Sequence, residues 1–439
     1  PVPESIHGLI SARLDTLSDE EKALVQDASV VGKVFWLGAL AQLGAGVERS
    51  RVEELLRGLQ RKQFVRRERR SSMEGDDQYS FEHTLVRDVA YGQIPRADRA
   101  EKHRRAAAWI ESLGRPDDLA ELRAHHSVSA IEALPAAGDD EDLRRSARLA
   151  LRDAGDRAFS LNAFAAALHE YHRALELWPE DDPDRPRLLL ATAVARNETD
   201  VVNQEELAAA RDALLAAGDR EGAADAELRR AETFWNLGRG DDVLQSLERT
   251  VELAEDLPVS AVKAGVYAGI FRLHWLANRE ELASRFGNEA MQMVEELGLD
   301  EVRAQLLNTF GTWRAMEGDR RGLDEIAESI AIFERLKSAA AQRSYNNLAD
   351  GYYNLGELRR AAEVTERTKQ AWKRFSHFDW LRWGDSQEIR LHYLAGRWDD
   401  AAAIADRWIA DSETRRAHYL EPVWRWLRGR IALARGDTA

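Results

Sequence analysis

Apolar side chains recur along this chain at the spacing of amphipathic helices, and from Leu151 onward the helical pattern itself repeats. A turn of the form Gly-Asp, or a near variant, recurs before an alanine-bearing helix at Asn162, Gly238, Ala277, Gly318, Gly356, Gly396 and Gly436. From Gly238 the steps are 39, 41, 38, 40 and 40 residues. The 76 residues from Asn162 to Gly238 leave room for two repeats, with a degenerate turn expected near Asp200. An all-helical period of roughly 34–40 residues means stacked helix pairs. In the first repeat Leu151, Ala154, Gly155 and Ala158 form one stripe, small where a partner helix must approach closely. Asn162 and Phe164 sit in the turn, Ala167, Tyr171 and Ala174 form the facing stripe, and Pro179 stops the second helix.

The N-terminal pattern differs. Ser18-Asp19-Glu20-Glu21 reads as a capping box ahead of a helix that buries Leu24, Val25, Ala28 and Val31. A second apolar stretch runs from Phe35 to Leu43, ended by Gly44 and Gly46, and a third helix uses Val52, Leu55, Leu56 and Leu59. Then the period changes. Phe64 to Arg69 and Gln78 to Phe81 flank the polar turn Ser71–Asp77, a β-hairpin signal. Three helices followed by a hairpin is winged-helix architecture. The expected fold is therefore predominantly all-α: a winged-helix module with a small β-hairpin, followed by an α-α superhelix. The expected boundaries are 1–17 for the end of an upstream lid helix, 18–98 for the winged helix, 99–146 for connecting helices and 147–439 for about seven repeats.

Composition narrows the chemistry. The chain has no cysteine, so disulfides, thiolate metal sites and cysteine nucleophiles are excluded, and a reducing cytoplasmic compartment is expected. No apolar run approaches the ~18 residues of a membrane span. The net charge of -15 argues against coating nucleic acid or anionic membrane, although residues 51–105 carry fourteen Lys/Arg against ten Asp/Glu. The chain opens on Pro1 and closes on Gly436-Asp437-Thr438-Ala439 inside the repeat pattern, so it reads as an excerpt of a longer polypeptide.

The repeat resembles the tetratricopeptide consensus, clearly in Leu151–Ala174 and again at Asn347, Leu348, Ala349, Tyr352, Gly356 and Ala361, with repeats about six residues longer than the usual 34. At the N-terminus, Pro3-Glu4-Ser5-Ile6 through Ala12–Ser18 resembles the join between an ATPase lid helix and a winged helix. Phe81-Glu82-His83-Thr84-Leu85-Val86-Arg87-Asp88-Val89-Ala90-Tyr91 resembles the run that follows the wing. Both recur in bacterial signal-transduction ATPases with numerous domains, and most resemble the adenylate/guanylate cyclases of cyclase–ATPase–repeat layout. The resemblance implies cyclase and ATPase modules upstream of Pro1.

Gly32-Lys33 is followed by Val34, and Asp27 stands where a phosphate loop needs its first glycine, so no such loop exists. His169 and His172 are three apart and lack a clear third metal donor, while His125 and His126, adjacent on a helix, point in different directions. No catalytic, cofactor or metal site is expected, and the chain itself reads as no enzyme. His83 and Arg87, i and i+4 on a helix, serve either as a contact to a neighbouring ATPase module or as a structural tie between wing and helix.

Arg57, Arg61, Lys62, Arg66 and Arg67 form a basic face running from the third helix into the wing, where a DNA reader places phosphate contacts. Glu53, Glu54 and the acidic wing tip weigh against nucleic acid and for contacts within the parent protein. Tryptophan is uneven: Trp372, Trp380, Trp383, Trp398, Trp408, Trp424 and Trp426 all follow residue 370. Trp380, Arg382, Trp383 and Arg390 are the candidate interaction groove, rings stacking while an arginine anchors an acidic group; the alternative is packing between repeats. The expected function is a regulatory region in which repeats bind a protein partner, peptide or small-molecule signal and the winged helix relays that state upstream. The rivals are a DNA-binding regulator with a repeat-type sensor, and a passive scaffold.

Overall fold

A computed structural model describes residues 4–44, 46–114, 119–134, 140–199, 203–338, 340–375, 378–414 and 418–437; of 4–5, 370–375 and 378–380 it describes the backbone alone. The chain divides into two compact units, residues 1–157 with 169–180, and residues 158–168 with 181–439.

The first unit begins with α1 (Glu4–Leu14), α2 (Asp19–Val31), β1 (Val34–Trp36), α3 (Leu37–Leu43) and α4 (Arg49–Arg61). The hairpin β2 (Val65–Arg67) and β3 (Gln78–Phe81) follows, then α5 (Thr84–Gly92), α6 (Arg96–Ser112) and α7 (Ala120–Ala133). The capping box forms: the Glu21 amide donates to Ser18 Oγ at 3.3 Å and the Ser18 amide to Glu21 Oε2 at 3.0 Å. Leu24, Val25, Ala28 and Val31 are buried in one core with Phe35, Leu40, Leu56 and Phe81.

The apolar stretch from Phe35 to Leu43 is not one element. Its start pairs antiparallel with β3, Phe35 opposite Tyr79, giving a three-stranded sheet of order β1-β3-β2 rather than a lone hairpin. Phe35 stacks on Tyr79 with ring centroids 6.1 Å apart, a cross-strand contact invisible to a helical period. Asp76 from the hairpin turn then accepts the Gly38 amide at 2.9 Å, satisfying a free donor at the start of α3.

The helix pairs run α8 (Glu141–Ser160) with α9 (Phe164–Leu177), α10 (Arg185–Asn197) with α11 (Gln204–Ala216), and α12 (Arg220–Asn236) with α13 (Gly240–Ala254). They continue as α14 (Ala261–Leu276) with α15 (Glu280–Leu297), α16 (Asp300–Met316) with α17 (Arg321–Arg335), α18 (Ala341–Asn354) with α19 (Leu358–Phe375), α20 (Phe378–Leu394) with α21 (Trp398–Thr414), and then α22 (Glu421–Arg435). The turn within each pair from α12 onward carries a left-handed residue: Gly238, Asn278, Gly318, Gly356 and Gly396, with Gly436 after α22. The structure moves the third marker from Ala277 to Asn278, because asparagine tolerates positive φ where alanine does not. The expected turn near Asp200 lies outside the described residues. After each left-handed residue the next amide bonds back five residues, as Arg239 N–H to Phe234 O and Glu357 N–H to Tyr352 O, satisfying carbonyls that the helix end leaves free.

Close approach fixes the pairing. A Cβ on Gly155 would lie 2.4 Å from the Tyr171 ring, and Tyr171 donates its hydroxyl to Asp156 at 2.7 Å. At the α16–α17 crossing, a Cβ on Gly322 would meet the Gly311 carbonyl at 2.2 Å, and one on Gly311 would meet the Gly322 carbonyl at 2.6 Å. Two facing glycines let these backbones touch, which no other residue allows.

Candidate ligand-binding face of the repeats

In the second unit, α12, α14, α16, α18, α20 and α22 pack successively against one another as well as against their own partners. Helices layered in that way form the inner wall of a curved array. Two rows on this wall follow from the turn register. Six residues before each left-handed turn residue stand Glu232, Arg272, Thr312, Asp350, Arg390 and Arg430; thirteen before stand Asp225, Gly265, Gln305, Arg343, Trp383 and Val423.

The first row is a ladder of charged side chains interrupted by Thr312. Arg272 bonds Glu232 on the preceding inner helix at 2.6 Å, and Arg390 bonds Asp350 at 2.7 Å. Asn347 donates to Asn308 Oδ1 at 3.2 Å between α18 and α16. Aromatic rings back the cations: Arg390 lies 5.4 Å from the Tyr353 centroid, and Arg430 lies 5.4 Å from Tyr393 and 4.9 Å from Trp426. Arg229, one turn before Glu232, reaches Asp225 at 3.3 Å and Glu232 at 3.4 Å.

The wall encloses these groups at longer range, although water still reaches them, with the Arg229 side chain 45% exposed. Burial alone would raise the Glu232 carboxyl, but Arg272, Arg229 and, farther off, Arg343 hold it below the usual carboxylate range. Asp225 first, then Glu232 and Glu198, push the Arg229 guanidinium up against the cost of burial. Arg343 is the exception. Burial, and then the like charges of Arg272 and Arg229, lower it to about 10 despite Glu232. Fields from α14 and α12 thus reach Arg343 on α18.

The wall also closes on itself. The Tyr419 amide donates to Asn236 O at 3.3 Å, and the Tyr419 ring packs on Trp235 at 5.7 Å. Trp235 and Tyr419, with Arg239, His418, Glu421 and Arg425, line a pocket of about 590 Å³.

The residues singled out from sequence separate here. Trp383 is half-buried on the inner row, edge-on to Tyr419 at 6.4 Å, and Arg390 is in the charge ladder. Arg382, their neighbour, is 1% exposed and bonded to Asp411 at 2.7 Å, so it sits within the helix packing rather than in the channel. Trp380 lies in α20, its side chain outside the described residues. Trp408 and Trp424 are buried and stacked at 6.0 Å.

In the first unit Arg87 donates to Ser29 O at 3.0 Å and to Asp88 at 3.1 Å and lies over Tyr91, while His83 is exposed at the start of α5. Of the basic face, Lys62 pairs with Glu21 at 2.6 Å, Arg66 with Glu68 at 3.3 Å, Arg57 with Glu53 at 3.7 Å and Arg67 with Asp77; Arg61 is exposed.

Sequence reasoning missed one cluster. His126 is buried and its Nδ1 meets His103 Nδ1 at 2.9 Å, while His103 Nε2 meets the Tyr91 hydroxyl at 2.9 Å. His125, exposed, lies edge-on to His103 at 6.2 Å. Contrary to the expectation that adjacent histidines diverge, the His125 and His126 rings lie 5.2 Å apart, and His103 from α6 packs against both. Among the described residues no group of three His, Cys, Asp or Glu could hold a metal, and no helix is long and apolar enough to cross a membrane.

No family model and no curated protein sequence matches the chain. Among solved structures it is similar to a signal transduction ATPase with numerous domains carrying a tetratricopeptide repeat sensor, from Pyrococcus horikoshii, at TM-score 0.55 and 16% identity over 98% of this chain and 62% of that one. It is also similar to aspartyl phosphate phosphatase F from Bacillus subtilis, at TM-score 0.50 and 11% identity over 82% of this chain and 93% of that one. Such identities speak to fold alone: the chain is a predominantly helical protein built on tetratricopeptide-type repeats. It spans 62% of the length of the first of these proteins.

Proposed function

We propose that this chain is a non-catalytic regulatory region of a multidomain signal-transduction protein, its repeats binding a peptide or partner segment and its N-terminal module relaying that state to an upstream ATPase or nucleotide cyclase. The observation that carries the reading is the inner wall: a row of charges, amides and aromatic rings at one side chain per repeat, water-accessible yet enclosed. Such a surface suits an extended chain, which presents groups at regular intervals. Helices α2, α3 and α4 with the three-stranded sheet support the winged-helix reading of residues 18–98. The likeness in fold to a repeat-sensor ATPase supports the relay. Because Lys62, Arg66 and Arg67 are already paired with Glu21, Glu68 and Asp77, the basic face fits an intramolecular role better than phosphate binding.

The test is enzymatic, on the parent polypeptide: ATP hydrolysis and nucleotide cyclisation with and without residues 147–439. A changed rate on truncation supports the regulatory arm. An unchanged rate in a folded, active protein overturns it and favours the passive scaffold.

A further inference from the structure

The inner wall holds three arginines within one another's field, Arg229, Arg272 and Arg343, and its carboxylates Asp225 and Glu232 bond only the first two. Arg229 is bonded to Asp225 and Glu232, and Arg272 to Glu232. Glu198, at the end of α10, adds its field at Arg229 rather than at Arg343. The Arg343 side chain has no hydrogen-bond or ion-pair partner among the described residues, and its Nε is sealed from water with nothing to donate to. A guanidinium carries five N–H donors in a fixed fork, and leaving one of them buried and unmade costs free energy. Arg343 shares a face of α18 with Asn347 and Asp350, at i, i+4 and i+7, both of which bond across to neighbouring inner helices. Unlike Asn347 and Asp350, the Arg343 side chain makes no bond across the ladder.

We infer that Arg343 is the anion subsite of the repeat channel, taking a single carboxylate side chain of an acidic peptide that lies extended along the inner wall. A monoanion supplies the bonded counter-charge that the Arg343 guanidinium lacks. A phosphate dianion would overshoot it and face Glu232, which sits within electrostatic reach of Arg343. A carboxylate matches the fork bidentately, and the low-dielectric setting strengthens the contact. Asn346, whose Oδ1 is buried without a donor, and the Asn347–Asn308 pair place amide groups beside the same position on α18 and α16.

This inference rests on the reading of the repeats as a peptide channel, and one experiment separates the two. The full chain is applied to a synthetic decapeptide array in which every sequence appears with Glu, Gln and phosphoserine at its central position. The wild type is expected to favour the Glu versions about tenfold over their Gln counterparts. Arg343→Met and Arg343→Gln are expected to lose that preference while still binding the Gln versions, and Arg343→Met to melt higher than wild type because an unpaired cation is gone. Binding without a Glu preference, a preference that survives Arg343→Met, stronger binding of phosphoserine, or a lower melting temperature in Arg343→Met overturns the Arg343 subsite alone. No binding of any peptide overturns the peptide channel as well.

Discussion

Acidification should loosen α6 and α7 selectively through the buried rings of His103 and His126. Both are essentially sealed, at 1% and 0% exposure. Burial first, then the charge of His125, Arg87 and Arg99, lowers His103 from 6.5 to about 4; burial, then His103 and His125, lowers His126 to about 3. Protonation is refused because neither ring can pass a second proton to water: one nitrogen of each is committed to the other, and His126 Nε2 has no partner. In the unfolded chain both rings take up a proton near the ordinary value. Between those limits the unfolded state binds more protons, so stability rises with pH and is lost as pH falls from about 6.5 toward 4. Going from about pH 7.5 to about pH 5 therefore costs about 2 kcal/mol per ring, or about 4 kcal/mol for the pair.

The assay is amide hydrogen exchange of peptides from α6 and α7, corrected for the intrinsic pH dependence, in wild type and His126→Leu. The variant should show about half the wild-type pH sensitivity. Asp27, whose carboxyl burial raises despite Lys102, titrates with the opposite sign, but it is common to both proteins and cancels in the difference. Equal pH sensitivity in the two proteins would refute the assignment of the effect to these rings.

Other outcomes follow from particular contacts. Gly322→Ala should destabilise the repeats by about 3 kcal/mol in chemical denaturation, because its Cβ would meet the Gly311 carbonyl and the Ala315 amide nitrogen, backbone atoms that cannot step aside; a change within error would mean the helices slide freely. Lys102→Met should cost about 3 kcal/mol by leaving the Asp27 carboxylate buried and unpaired, whereas Lys102→Met with Asp27→Leu should recover most of it. Tyr171→Phe should cost about 1–2 kcal/mol from the lost bond to Asp156, read by thermal denaturation. Tyr419→Ala should speed exchange at 418–425 and around Asn236, the two sides of the wall closure; unchanged exchange there would show that the contact carries no stability.

The repeats were legible in sequence because one physical signal recurs: a left-handed turn residue and small residues where helices cross. The alternation of Leu151, Ala154 and Gly155 with Ala167, Tyr171 and Ala174 sufficed to pair α8 with α9, since only a glycine accommodates the Tyr171 ring. The capping box at Ser18 was legible for the same reason, being local. What sequence could not place is whatever depends on a residue far along the chain. Strand β1 owes its conformation to Tyr79, some forty residues on, and periodicity carries no trace of that partner. Arg382, Trp383 and Arg390 looked like one cluster in sequence, but on a helix Arg382 faces inward to Asp411 while the others face the channel.

The sequence by itself thus determined the helical class, the repeat period and the turns, because these follow from side chains a few residues apart. Only the tertiary structure decided which polar groups are paired and which are not. Arg343 reads like any surface arginine until two other inner helices, α12 and α14, bring Arg229, Glu232 and Arg272 into its field, and its unbonded guanidinium there is a property of the assembled wall rather than of any segment.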